Sequence, residues 1–178
     1  MTLAAALTAY AELLADVLVN DCDASMPTRI LRYHGGHVPE DIGCSDGLLS
    51  VWWEDPLEPL TLGREPCPGF PQVVLAARWA VCWKLADVDA DGVTLFDDTW
   101  DLDAAVLADA AECVARALMR LACVVDPTDV KALALLALTM GRPPVLFISA
   151  TPSPPSGGVA TVEWRVRVGL RAETSGSS

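Results

Sequence analysis

Residues Pro71 to Lys84 read PQVVLAARWAVCWK. The odd positions, Val73, Leu75, Ala77, Trp79, Val81 and Trp83, are all apolar, while the even positions mix Val74, Ala76, Arg78, Ala80, Cys82 and Lys84. Alternation with a period of two is the pattern of a β-strand that turns one face to a core. At ~3.3 Å per residue the run spans roughly 46 Å. A compact chain of this length has a diameter near ~40 Å. The stretch is therefore read as the central strand of one sheet, one that has to bend or else cross the subunit and project from it.

Around this strand, the chain of 178 residues is short enough for one domain, and its 52% hydrophobic content is ample for a core. The formal net charge of −12 argues against holding duplex DNA on a broad basic face. It is compatible with a passage that repels DNA or with a basic protein partner. No apolar run approaches the ~20 residues that span a bilayer, so no membrane partner is expected. The N-terminal MTLAAALTAYAELLADVL looks like a signal peptide but has no basic first region, and Glu12 and Asp16 interrupt it. Export is not expected.

Six cysteines stand at 22, 44, 67, 82, 113 and 123, with no CxxC pair. Cys82, Cys113 and Cys123 fall inside strand or helix patterns and read as small buried hydrophobes. A disulfide framework is not expected in a mostly apolar cytosolic chain. Cys44 and Cys67, at the edges of loops, are the one pair singled out for a test.

In chain order, a helix is expected from Thr2 to about Asn20, with Leu3, Leu7, Tyr10, Leu14, Val17 and Leu18 on one stripe and Glu12 and Asp16 opposite. Thr28–Tyr33 is a short strand, His34-Gly35-Gly36-His37 a turn, and Gly47–Trp53 a second strand. Residues 54–71 carry Pro56, Pro59, Pro66, Pro68 and Pro71 and form a long irregular loop. After the long strand comes an acidic linker from Asp87 to Asp98. A helix from Asp101 to Val124 has Leu102, Val106, Ala110, Val114, Ala117, Leu118 and Leu121 on one side, with Asp101 and Asp103 at the positive end of its dipole. A further helix starts at Asp126-Pro127 and ends at Gly141, stopped by Pro143-Pro144. Val145–Ala150 is a strand, TPSPPSGG a turn, and Val159–Val168 the second clean strand. Residues 171–178 are read as a disordered tail after a single domain of residues 1–170. The order α-β-β-β-α-α-β-β predicts an α+β fold: one mostly antiparallel sheet of about five strands with helices on one face.

Four constellations could carry chemistry. GCSDG, Gly43–Gly47, matches the G-x-S-x-G nucleophile pattern around Ser45, but His34 and His37 are the only histidines and the motif enters a strand rather than a strand-to-helix elbow. Two glycine turns explain it better. His34, His37, Cys44 and Cys67 could be drawn as a zinc site, yet H-x-x-H lies on a Gly-Gly turn and no second tight pair supports it. Asp87, Asp89, Asp91 and Gly92, with Asp98 at the twelfth position, match the carboxylate spacing of a calcium loop. Against this, the last ligand is Asp rather than Glu, Thr94 replaces a large apolar residue, and a strand precedes the loop. Among the six tryptophans, Trp79, Trp83 and Trp164 lie on apolar strand faces and read as core. Trp52 and Trp53 are adjacent and must point to opposite faces, so one of them is a candidate for burial against another subunit.

Taken together, several features resemble a known family. They are an apolar N-terminal helix, Cys44-x-x-Gly47-Leu48 leading into Val51-Trp52, and a proline-rich loop ending in Cys67-Pro-Gly-Phe70-Pro71. The long strand, the acidic link, the Asp101 helix and a final PSGG-x-x-x-x-E-W-R-V-R-V strand follow. This order, over roughly residues 1–170, resembles the tail terminator or head-to-tail connector proteins of long-tailed, siphovirus-type phages that infect actinobacteria. The HGGH turn, the acidic run and the helix at 127–140 depart from the family pattern. The resemblance implies a structural virion protein that forms a ring, commonly a hexamer, at the head-proximal end of the tail, assembled in the host cytoplasm. Such a ring ends tail-tube polymerisation. Its implied partners are its own copies, the tail-tube protein, the head-completion and connector proteins, and DNA passing through the lumen without specific binding. No catalytic residue, metal or cofactor is implied. The reading from a different class is a calcium-binding or small adaptor module using residues 87–98.

Overall fold

The computed structural model describes residues 3–22, 24, 27, 29–32, 47–54, 72–82, 87–88, 94–95, 100–123, 130–156 and 159–170. The elements are α1 (Leu3–Asn20), β1 (Arg29–Arg32), β2 (Leu48–Glu54), β3 (Gln72–Cys82), β4 (Asp87–Val88), β5 (Thr94–Leu95), α2 (Trp100–Cys123), α3 (Val130–Leu138), β6 (Thr139–Ser156) and β7 (Val159–Leu170). Five strands form one sheet in the order β1-β2-β3-β7-β6, and β4 with β5 forms a separate two-stranded sheet. The fold is α+β and mostly antiparallel. One pair, β1 with β2, is parallel, from Arg29 opposite Leu48 to Arg32 opposite Val51. A parallel pair needs a crossover of a dozen or more residues, and the fifteen residues between the two strands meet that need.

As its alternation predicts, β3 is the central strand. It pairs with β7 without interruption, from Gln72 opposite Gly169 to Cys82 opposite Val159. The described strand has 11 residues, about 36 Å at ~3.3 Å each, so it fits within the subunit and has no need to project. Pro71, Trp83 and Lys84 lie outside the described residues. Because side chains alternate, Val73, Leu75, Ala77 and Trp79 share a face with Leu49 and Val51 of β2 and with Val162, Trp164, Val166 and Val168 of β7. The three helices cover this face, and one hydrophobic cluster runs from Ala6 of α1 to Val168 of β7. Trp79 and Trp164 are core residues, as their positions predict.

The first helix has the predicted ends at its C-terminal side and nearly so at its start. Its buried residues, Ala6, Leu7, Ala9, Tyr10, Ala11, Leu13, Leu14, Val17 and Leu18, make a stripe wider than one face. That width suits a helix packed against both the sheet and α3. Although α1 is long and apolar enough to cross a membrane by length and composition, half of it is buried inside the chain. Its end is closed by Asp21 N–H and Cys22 N–H, both donating to Val17 O at 3.0 Å, and by Ala24 N–H donating to Leu18 O at 2.9 Å. The Tyr10 hydroxyl is buried with no hydrogen-bond partner, and burial alone pushes its pKa well above the ordinary 10.0. The folded chain therefore resists losing this proton while the unfolded chain loses it freely. Its contribution is present below pH 10 and falls away as pH rises further. Tyr10→Phe should be neutral or stabilising by up to about 1 kcal/mol at pH 7, and should flatten the loss of stability between pH 10 and 11, read from chemical denaturation curves.

Three expected boundaries change. The helix expected from Asp126 to Gly141 is described as α3, Val130–Leu138, and Thr139 to Gly141 already belong to β6. The turn is made at Thr139, whose hydroxyl donates to Leu136 O at 3.2 Å, and Thr139 and Met140 then pair with Leu170 and Gly169. The strand expected over Val145–Ala150 extends to Ser156, so most of TPSPPSGG is strand rather than turn. β6 has 18 residues against 12 in β7, and register shifts at Met140/Val145, Phe147/Ser149 and Ser153/Ser156 absorb the excess. Prolines are tolerated because β6 is an edge strand with bulges. Finally, the acidic linker contains the β4–β5 hairpin.

Candidate functional site

Most sequence-predicted site residues, namely His34, His37, Cys44, Ser45, Cys67, Asp89, Asp91 and Asp98, lie outside the described residues. Asp87 is described at the backbone, where it pairs directly with Leu95. That makes positions one and nine of the would-be calcium loop neighbours in an antiparallel hairpin, unlike a loop that leaves a helix and wraps an ion. Among the described residues, no group of three or more His, Cys, Asp or Glu side chains could hold a metal.

Two cysteine expectations are corrected, the buried-hydrophobe reading of Cys113 and the expectation of a chain without a disulfide framework. Cys113 is not a lone buried hydrophobe: it is half-buried and bonded to Cys22, with the Cα atoms 5.7 Å apart. The partners are 91 positions apart, so only the tertiary packing of the end of α1 against α2 brings them together. The side chains of Cys82 and Cys123 fall outside the description.

Trp52 also differs from expectation. It faces away from the helices, yet it is only 4% exposed in the single chain. Leu48, Ser50, Ala76 and Ala80 on the same face are buried too, so this side of the sheet is closed at its centre and Trp52 is not free for a neighbour. The Arg78 guanidinium lies over its ring, 5.5 Å from the centroid.

That face carries a row of four paired charged side chains. Arg78 donates to Glu163 Oε2 at 3.0 Å, and Arg165 Nε donates to Glu54 Oε1 at 3.0 Å. Arg165 also pairs with Glu163, which links β2, β3 and β7 in one row. Burial acts to lower the Arg165 pKa, but the hydrogen bond it donates to Glu54 and the charges of Glu163 and Glu54 outweigh it and hold the guanidinium above its ordinary value. The row alternates in sign, and its members pair with one another instead of converging on an open space. Its role is to fix strand register, because a one-residue slip would place these charges in the helix-covered core.

A second polar feature is a cleft of about 530 Å³ between the end of α1 and α2, lined by Asp21, Asp109, Glu112, Arg116 and Arg120 among others. Glu112 and Arg116 pair one helical turn apart, with side chains 62% and 66% exposed. This is a solvated helix face, and such pairs contribute only ~0–1 kcal/mol.

The remaining feature is the outer edge of the sheet. Among the described residues β6 pairs only with β7. Val145 and Phe147 turn toward the helices, opposite Val168 and Val166, and Leu146 turns to the other face opposite Arg167. Leu146 is 45% exposed and Ile148, at a register shift, is 42% exposed. Composition hinted at this edge only through the apolar run Val145–Ala150, since a run without alternation does not tell a central strand from an edge. The chain matches no protein-family model, and no curated protein is significantly similar to it in sequence.

Proposed function

We propose that the chain is a self-associating structural protein of a phage tail, forming a ring at the head-proximal end where tube growth stops and the head connector docks. The observation that carries this reading is the exposed apolar edge of β6, with Leu146 and Ile148 in solvent on a strand that lacks an outer partner among the described residues. Such an edge is a template for further strand pairing unless another chain covers it. The resemblance of residues 1–170 to tail terminators and connectors supplies the setting, and the −12 net charge suits a lumen that DNA passes without adhering. In this reading the partners are its own copies, the tail-tube protein and the head-completion proteins, and the place of action is the virion. The test is to purify particles and locate the chain by mass spectrometry and immunogold labelling. The expected result is a ring's complement of copies at the head–tail joint. Particles without the chain would overturn the reading.

A further inference from the structure

We propose that β6 of one copy pairs with β1 of the next, so that the sheet continues from subunit to subunit as an antiparallel ladder. This rests on the ring reading and adds which surfaces meet, in which direction, and through which side chains.

Strand directions make the junction possible. β2 runs parallel to β1, β3 runs against β2, β7 against β3, and β6 against β7. β6 therefore runs opposite to β1. A second copy moved sideways across the sheet, without being turned over, presents its β1 to β6 in antiparallel sense. The same movement keeps helix face beside helix face. Leu31 is level with Thr151 through Ser50, Arg78 and Glu163, and Leu146 is level with Glu54, so a junction at Leu146 staggers neighbouring copies by about four residues, roughly 13 Å, along the strands, and a ring closes on such a stagger when the strands tilt from its axis.

The side chains agree with the faces. Leu146 lies on the face away from the helices, and so does Leu31, which is level with Ser50. Ile30 is level with Leu49 on the helix-covered face, the face of Val145 and Phe147. Leu31 and Ile30 are half-buried in the single chain, while Leu146 is among its most exposed large apolar residues. The junction thus covers Leu146 with Leu31 and extends the core with Ile30.

Proline placement sets the length. Proline has no N–H to give to a ladder. Val145–Thr151 is a proline-free window of seven residues between Pro143-Pro144 and Pro152, long enough for the four residues of β1.

Charge favours β1 over the alternatives as occupant. Arg29 and Arg32 are exposed on β1, whereas the β6 window carries no charge. Two β1 edges together would oppose arginines. Two β6 edges would pair without a clash but would leave β1, which has no outer partner among the described residues, without one in every copy. Pairing β6 with β1 covers both edges, and a basic strand on a chain of net charge −12 is drawn toward another copy of that chain.

The experiment is native mass spectrometry with hydrogen exchange on the full chain. The wild type is expected to form a closed oligomer. Leu146→Lys and Ile148→Lys, both at exposed positions, should keep the circular dichroism and Tm of the wild type yet weaken assembly about tenfold or more. Amides 145–151 and 29–32 should exchange more slowly in the oligomer than in the lysine variants. Leu31→Cys with Leu146→Cys should give covalent multimers on oxidation, and neither single variant should. A dimer protected only at 145–151 would mean two-fold β6 pairing and would overturn the proposal. So would a ring in which neither segment is protected, although the tail reading would then survive. A chain that stays monomeric throughout overturns the edge proposal, while its presence or absence in particles decides the tail reading separately.

Discussion

In oxidising buffer, Cys22→Ser should melt about 9–18 °C below the native chain. The bridge closes a loop of 91 positions, and in the chain-entropy treatment a loop of that size restricts the unfolded chain by about 4.6 kcal/mol. For a chain of this length, each kcal/mol shifts Tm by ~2–4 °C. Cys113→Ser should show the same loss, and the double variant should lose no more than either single one. Full reduction of the native chain should bring its Tm down to that of the variants, which separates the bridge from any packing effect of the serine. Calorimetry under both conditions is the measurement. Equal Tm values for oxidised native chain and variant would mean that the two sulfurs are not joined in solution. The staple joins the end of α1, where Cys22 N–H is already bonded to Val17 O, to the middle of α2.

This bridge also marks the limit of what one sequence states. Alternation in Pro71–Lys84 and Val159–Val168 placed two strands and their buried faces, because side-chain direction follows from strand geometry alone. The stripe from Leu3 to Leu18 placed α1 for the same local reason. Neither pattern says which strands are neighbours. β7 inserts between β3 and β6, so Glu163 meets Arg78 across 85 positions and Arg165 meets Glu54 across 111. Cys22 and Cys113 look unrelated until α1 and α2 pack. The sequence misleads most where proline is concerned. Pro143-Pro144 reads as a helix stop and Pro152 as a turn, whereas in β6 the first two fall in a register shift and Pro152 stands opposite Val162 on the edge strand. Trp52 shows a different limit: alternation correctly puts it opposite Trp53, but burial on the second face depends on more than its own strand.

Trp164→Ala should destabilise the chain by about 3–5 kcal/mol, the range for emptying a fully buried large aromatic site. Trp164 is 0% exposed and heads the largest fully buried side chains. It stands on β7 with Ala77 of β3 on one side and Ala150 of β6 on the other, so small neighbours leave the indole room, and these alanines cannot fill the space if it goes. Its Nε1 donates to Ala111 O of α2 at 3.1 Å, which ties the sheet to the helix that covers it. Trp164→Phe keeps most of the apolar volume and loses that bond, for about 1–2 kcal/mol. Trp79 is the internal comparison. It lies on the same face and is 2% exposed, but its Nε1 has no partner, so Trp79→Phe removes no bond and should be milder than Trp164→Phe. Urea denaturation of the three variants gives the ranking. Trp164→Ala should remove a large share of the ~5–15 kcal/mol typical of a folded domain. If Trp79→Phe proved the more harmful of the two phenylalanine changes, the bond to Ala111 would not be what sets Trp164 apart.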